Sequence, residues 1–330
     1  MLRRLVWLPA AALGVATLVF VALEAAPGNP ADLLLGDRPV PPDVRQRIER
    51  AYGFDRPALV RYGRWLSAVF VEGELGWSHS RGRPVAQALA EALPPTLLLS
   101  GAALVGHLLL GLLIGVASAA GRGRGLDRAL TTLGLAIYAM PAFWLGLMSI
   151  LLASYVVPLF PASSMSSVGA ERLGWIGRSL DGLWHLVLPA AVLGLGSAAA
   201  LARFVRAGLI ETLDLDFVRA ARARGVSQRR VLWRHALSNS LVPVINWTGL
   251  SLPVLVSGSL VVEVVFAWPG MGRLTYDALR AYDLPVVLAA TMLSTVLVLI
   301  GSLFADLGMI IVDRRIRMGE PGAVRSGRVA

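Results

Sequence analysis

Six apolar stretches set the limits on what this chain can become: residues 5–23, 96–119, 130–157, 183–201, 241–262 and 286–312. A helix that crosses a hydrocarbon core of about 30 Å needs roughly 20 predominantly apolar residues. In that core the backbone must satisfy its own polar groups, which a helix does within one segment. The stretches therefore predict an all-α polytopic membrane protein with six transmembrane helices. Composition agrees, with 56% hydrophobic and 16% charged residues, where a soluble domain carries charge at about a quarter of its positions. Arg3 and Arg4 precede the first stretch and Ala25 and Ala26 follow it, so a cleaved signal peptide is the competing reading there. Its length and the five later spans favour a retained helix. Pro141, Pro243 and Pro253 fall inside spans, which is tolerable where neighbouring groups satisfy the freed carbonyls.

The net charge of +10 comes from arginine alone, since the sequence has no lysine. Residues 120–129 and 202–240 hold 3 and 8 Arg, against 2 each in 158–182 and 263–285. The positive-inside rule then places the N-terminus, the two Arg-rich loops and the tail in the cytoplasm. Attraction to anionic lipid accounts for the charge without nucleic acid. The expected organisation is an N-terminal span at 1–23, an extracytoplasmic region at 24–95, a five-helix core at 96–312 with a cytoplasmic loop at 207–240, and a tail at 313–330.

The 24–95 region reads as a small folded cap. Pro41-Pro42-Asp43 opens a helical stretch that Gly53 stops. Residues 59–70 form a second helix with Leu59, Tyr62, Leu66 and Val69 on one stripe.

The segment from Gly208 to Asn246 carries the most information. It predicts two helices with a break: Asp214 or Asp216 at a helix start, Gly225 at a stop, Ser227 at a fresh N-cap. Phe217, Ala220, Ala221 and Arg224 share a face by the three/four spacing. Small residues keep the helix thin, which suits a groove in another protein. A basic amphipathic loop lying on lipid is the alternative.

This segment resembles the ATPase-contacting loop of dipeptide/oligopeptide-type permeases from bacterial binding-protein-dependent ABC importers. The broad pattern there is Glu-Ala-Ala, three residues, then Gly; here it reads Arg219-Ala220-Ala221, three residues, Gly225, with Arg replacing Glu. His235-Ala236-Leu237-Ser238-Asn239 and Pro243 continue the likeness. So do Pro27-Gly28-Asn29-Pro30, Gly53-Phe54-Asp55-Arg56-Pro57, Gly73-Glu74-Leu75-Gly76-Trp77-Ser78, Pro94 with Thr96, Pro141 with Phe143-Trp144, and Glu263-Val264-Val265-Phe266-Ala267-Trp268-Pro269-Gly270-Met271-Gly272. Departures include Asp313-Arg314-Arg315-Ile316-Arg317, where Asp-Pro-Arg-Ile-Arg is usual.

The resemblance implies a translocation-path subunit for di/oligopeptides in the bacterial cytoplasmic membrane, in the type I importer architecture. Its partners would be a second, similar permease, two cytoplasmic ATPases and an extracytoplasmic binding protein. Nickel or another small solute is the alternative cargo. ATPase contact would fall on Glu211, Asp216, Phe217, Ala220, Ala221, Arg224, Gly225, Arg230 and His235. ATP and Mg belong to the partners, because a Walker A motif needs a lysine and this chain has none.

Glu263 stands at the outer end of the fifth span, so Glu263, Phe266, Pro269 and Gly270 are candidates for the pathway or a gate, with a structural ion pair or cap as the other reading. Asp306 is expected to pair with Arg314 or another polar group inside the bundle. His79, His107, His185 and His235 show no metal-ligand spacing. The absence of Cys removes disulfides, thiolate metal sites and thiol nucleophiles. Neither a Gly-x-Ser-x-Gly nor a His-Glu-x-x-His motif exists for an intramembrane protease. A stand-alone secondary transporter would leave the basic loop unexplained, and no inverted repeat supports one. Trp65, Trp77, Trp144, Trp175, Trp184 and Trp268 read mostly as interfacial anchors.

Overall fold

The computed structural model describes residues 2–25, 41–43, 46, 55–237 and 259–312, with residues 2–8, Leu23, Arg229, His235 and residues 304–312 given by backbone alone. Most of the helix expected from Asp43, the first part of the fifth span and the tail lie outside the described residues, as does the Asp306–Arg314 pair.

The described chain is mostly helical. Helix α1 (Leu2–Glu24) covers the first apolar stretch, with Ala12, Ala16 and Phe20 buried at one-turn intervals. Helix α2 (Ala58–Ser67) runs into π-helical turns at Ala68–Glu72. A two-residue hairpin follows, β1 (Trp77–Ser78) antiparallel to β2 (Arg83–Pro84). Then come α3 (Val85–Ala120), α4 (Gly125–Ala139), α5 (Ala142–Ile150) with a π-helical continuation at Leu151–Val156, and α6 (Trp175–Leu213). The short α7 (Asp216–Ala223) precedes a single turn at Gln228–Arg230 and π-helical turns at Val231–Ala236. Residues 259–265 are helical, and α8 (Met271–Arg280) and α9 (Leu284–Val312) end the described chain.

Helices α3, α6 and α9 are each long and apolar enough to cross a membrane, and α4 with α5 count as one broken span. The break falls at Met140 and Pro141: the proline has no N–H to continue α4, and its fixed φ suits the position before α5. Helices α3 and α6 extend well past their uncharged stretches, α3 by eleven residues at its start and α6 by eight before and twelve after.

The chain divides into two compact units: residues 1–103, 141–193 and 255–299, and residues 104–140, 194–254 and 300–330. In the first, Val85, Ala88, Leu89 and Ala92 form one face of α3 and pack with Met271, Leu274 and Ala278 of α8 and with Val286, Ala289 and Ala290 of α9. A second cluster gathers Leu99, Leu186, Val192, Val262, Phe266 and Trp268. Helix α2 leans on α1 through Tyr62, whose ring centroid lies 4.8 Å from that of Phe20 and whose hydroxyl shares a 2.5 Å hydrogen bond with Thr17. Arg61 pairs with Glu24. The inward stripe of α2 is Tyr62, Trp65 and Leu66, continued by Val69 in the turns after it; Leu59, expected on it, is 84% exposed.

In the second unit α3 and α6 touch along a stripe of four-residue spacing. Side chains on Gly111 and Gly115 would fall 2.6 Å from Leu201 and Val205. Small residues at such positions let helices approach closely where lipid removes the hydrophobic incentive and packing must supply the attraction.

Candidate functional site

The predicted coupling loop is a separate short helix. Helix α6 ends at Leu213, and α7 begins after Leu215, which takes the N-cap position with no side-chain cap. Asp216 is therefore in the first turn rather than the cap, where its charge suits the helix dipole; it pairs with Arg219 at 3.4 Å on the open surface. Arg219 also donates to the Asp214 carbonyl at 2.9 Å. Arg219, which replaces the family's Glu, thus straps the start of the helix from outside.

The end of α7 is a Schellman motif. The Gly225 N–H donates to the Arg222 carbonyl at 2.9 Å and the Val226 N–H to Ala221 at 3.2 Å. Gly225 has φ +80°, in the left-handed region, while open space surrounds the place of a Cβ. Conformation, not crowding, demands glycine here. Ser227 occupies the next N-cap position, accepting the Val231 N–H through its backbone carbonyl at 3.0 Å, without a side-chain bond.

Burial splits the face expected from spacing. Val218 and Ala221 are buried. Phe217, Ala220 and Arg224 are exposed and stand three and four residues apart. Glu211 and Arg230 are also exposed. The side chain of His235 lies outside the described residues. What faces outward is a slim helix carrying an aromatic ring, 41% exposed at Phe217, between arginines.

A second assembly anchors this loop at its root. Asp127, at the start of α4, is buried. It accepts hydrogen bonds from Arg206 of α6 at 2.7 and 2.8 Å, from the Gly123 N–H at 2.9 Å and from Ser118 Oγ. Arg122 of the same turn reaches Asp214 at 3.2 Å, beside the junction of α6 and α7. In the sequence Asp127 and Arg206 stand out only as charges of the two Arg-rich loops, and Asp214 only as a candidate helix start. Partners 79 residues apart leave no local signal.

In the first unit the block from Glu263 to Gly272 folds around one carboxyl group. Glu263 is fully buried. Its Oε1 accepts from Thr96 Oγ1 at 2.8 Å and its Oε2 from the Arg273 N–H at 3.0 Å. Thr96 Oγ1 in turn accepts the Met271 N–H at 2.7 Å. Glu263 and Thr96 therefore satisfy two of the free N–H groups, those of Met271 and Arg273, that every helix start leaves open. The chain turns above them with Ala267 at φ +51°, the Trp268 N–H on the Glu263 carbonyl at 2.8 Å, and Trp268 Nε1 on the Pro95 carbonyl at 2.9 Å. A Cβ on Gly270 would collide with the Glu263 carboxyl carbon and both its oxygens. Phe266 is buried in the apolar cluster with Leu99 and Trp268, and Pro269 is exposed. The structure thus brings Glu263 and Gly270 into one enclosed knot, with Thr96 as a member that the Pro94-x-Thr96 motif had flagged only as a likeness.

The Gly73–Ser78 motif also gains a partner. Ser78 Oγ, Ser80 N and Ser80 Oγ converge on Asp283 Oδ2 at 2.6, 3.0 and 2.8 Å, fastening the hairpin to the start of α9. Asp283-Leu284-Pro285 was a readable helix start, since an acid before a proline-bearing first turn is a common opening. Among the described residues no group of three His, Asp or Glu could hold a metal ion.

Residues 111–318 match the family model described as binding-protein-dependent transport system inner membrane component. The chain is 39% identical over 305 residues to the oligopeptide transport system permease protein AppB of Bacillus subtilis strain 168, covering 92% of this chain and 94% of that one. It is 34% identical over 328 residues to the di/tripeptide transport system permease protein DppB of Pseudomonas aeruginosa, covering 96% and 97%. Among solved structures it is similar to a chain of the MetNI methionine ABC transporter in inward-facing form, with TM-score 0.50, 22% identity, and coverage of 71% of this chain and 97% of that one. Apolar helices of spanning length, an outward-facing slim helix closed by Gly225 and these matches have one explanation: the chain is a membrane protein that belongs to the binding-protein-dependent transport system inner membrane component family.

Proposed function

We propose that this chain is the permease subunit of an ATP-driven importer of di- and oligopeptides. The observation that carries the reading is identity of 34–39% to peptide-system permeases across more than nine-tenths of both chains. The subunit pairs with a second, similar permease, two cytoplasmic ATPases and an extracytoplasmic binding protein. Both termini lie in the cytoplasm of a bacterial inner membrane. ATP and Mg are held by the ATPases, and this chain contributes no catalytic group.

Helix α7 is the contact with an ATPase. Phe217, Ala220 and Arg224 enter its groove, with Asp216, Arg219 and Arg230 on the rim, while Val218 and Ala221 bind the helix to its own subunit. Closure of the ATPases on ATP binds one state of the bundle better than the other and so shifts the population between inward-open and outward-open forms. Glu263 and Gly270 hold the outer turn of the gate in shape, and Pro269 is its exposed edge.

The test is affinity purification of the tagged chain in mild detergent with identification of what accompanies it. Two Walker-motif ATPases and a second permease support the reading. Recovery of the chain alone, even after cross-linking through residues 208–230, refutes the assembly. Uptake of labelled dipeptide by the reconstituted complex, against uptake of nickel, decides the cargo.

A further inference from the structure

The second unit contains a crevice of about 190 Å³ between α3, α4 and α6. Its walls are apolar, built from Ile114, Leu130, Ile137, Leu195 and Ala199. Its narrow floor depends on Gly134, where a Cβ would stand 3.6 Å from that of Ala199. From Leu195 to Arg206 the crevice follows α6 for about 16 Å at the helical rise. Helix α4 exposes Leu133 at the crevice and Leu126, Leu135 and Tyr138 elsewhere on its circumference, a surface that only lipid or another apolar surface would cover.

One end of the crevice is polar, with Ser118, Arg203 and Arg206. Arg206 is neutralised by its two bonds to Asp127. Arg203 is exposed and makes no ion pair or hydrogen bond among the described residues. It stands two residues beyond the uncharged stretch that ends at Leu201, at the depth where arginines meet lipid headgroups. An apolar trough with one unpaired guanidinium at its mouth fits an amphiphile with one anionic head. The planar guanidinium matches a phosphate bidentately, and basic pockets between spanning helices select anionic headgroups.

We propose that this crevice binds one anionic phospholipid, an acyl chain lying along α6 and the phosphate on Arg203. A zwitterionic lipid of the same tail would bring its ammonium group toward Arg203 and bind less well. The site does not depend on which solute the protein carries.

The experiment uses the full chain in mild detergent, titrated with phosphatidylglycerol or with phosphatidylcholine of the same acyl chains, and counts retained lipid by native mass spectrometry. One phosphatidylglycerol is expected per chain, held more tightly than phosphatidylcholine. Arg203→Gln should weaken it about fivefold, the contribution of one arginine near an anionic surface, whereas Arg124→Gln, outside the crevice, should leave it unchanged. Gly134→Phe should abolish retention by filling the floor. Equal retention of the two lipids, or an Arg203→Gln variant indistinguishable from the parent, overturns the proposal. A photo-reactive residue at Leu133 in cells decides the occupant of the assembled protein: a lipid adduct supports the site, and an adduct to a protein chain overturns it.

Discussion

Replacing Glu263 by alanine removes the acceptor around which the 263–273 turn is built. Thr96 loses one partner but keeps a weaker one in the Ala92 carbonyl at 3.4 Å, so its cost is at the low end, about 1 kcal/mol. The Arg273 N–H at the start of α8 has no substitute and, half-buried, costs about 1–2 kcal/mol as an unpaired donor. The lost side-chain methylenes and the cavity add about 1 kcal/mol. The sum is about 3–4 kcal/mol. At about 2 °C per kcal/mol for a chain of this size, the detergent-solubilised protein should lose roughly 6–8 °C in its midpoint of heat inactivation. Glu263→Gln keeps the shape and one oxygen acceptor, and Thr96 can rotate its hydroxyl to accept; the expected loss is about 2 °C. The assay is monodisperse protein surviving a temperature ramp, run with dipeptide uptake by reconstituted complexes. Heat resistance of Glu263→Ala within about 1 °C of the parent would sink the scaffold reasoning. So would Glu263→Gln that keeps its stability and loses all uptake, because that pattern belongs to a residue that meets the solute.

Gly225→Val forces a β-branched residue into the left-handed region, at a cost of at least about 1–2 kcal/mol, and should abolish ATPase-coupled uptake while membrane insertion, read by expression of a C-terminal fluorescent fusion, stays normal. Arg219→Glu breaks only surface contacts, worth little, and should retain most uptake; a null Arg219→Glu beside a working Gly225→Val would reverse the roles assigned to them. Gly111→Leu pushes a side chain into Leu201 and should cost about 1–3 kcal/mol by overpacking, seen as lowered heat resistance without change in ATPase binding. Burial holds the pKa of His79 below the ordinary histidine value, against an opposing pull from Asp283. The unfolded chain therefore takes up the proton first, and this group's contribution to stability, complete above about pH 6.5, is lost as pH falls through the folded pKa. Between pH 7.5 and 5.5 the parent should lose more heat resistance than His79→Gln, and parallel curves would refute it.

Much of the helix inventory was legible because the bilayer imposes length and apolarity together. The ends of α3 and α6 were not. Val85, Ala88, Leu89 and Ala92 bury a stripe of α3 while Gln87 and Glu91 face outward, so the helix starts where uncharged runs do not. Beyond Leu201, α6 continues because Val205 and Leu209 stay buried while Arg203 stays exposed. The stop at Gly225 was readable from its residue type, since few residues accept φ +80°. The inward turn of Ala221 was not, because spacing gives a shared face but not which side meets the protein. The Glu263 enclosure stayed undecided between path and cap, since its partner Thr96 lies 167 positions away.

Helix α6 runs unbroken to Leu213, and only Asp214 and Leu215 separate it from α7. Before that end it meets α3 at Gly111 and Gly115, where Leu201 and Val205 fill the room that side chains would take. Contact this close resists sliding and rolling, because a packed surface yields little before side chains collide with backbone. Any load on the short helix is therefore shared by two long helices rather than borne by one.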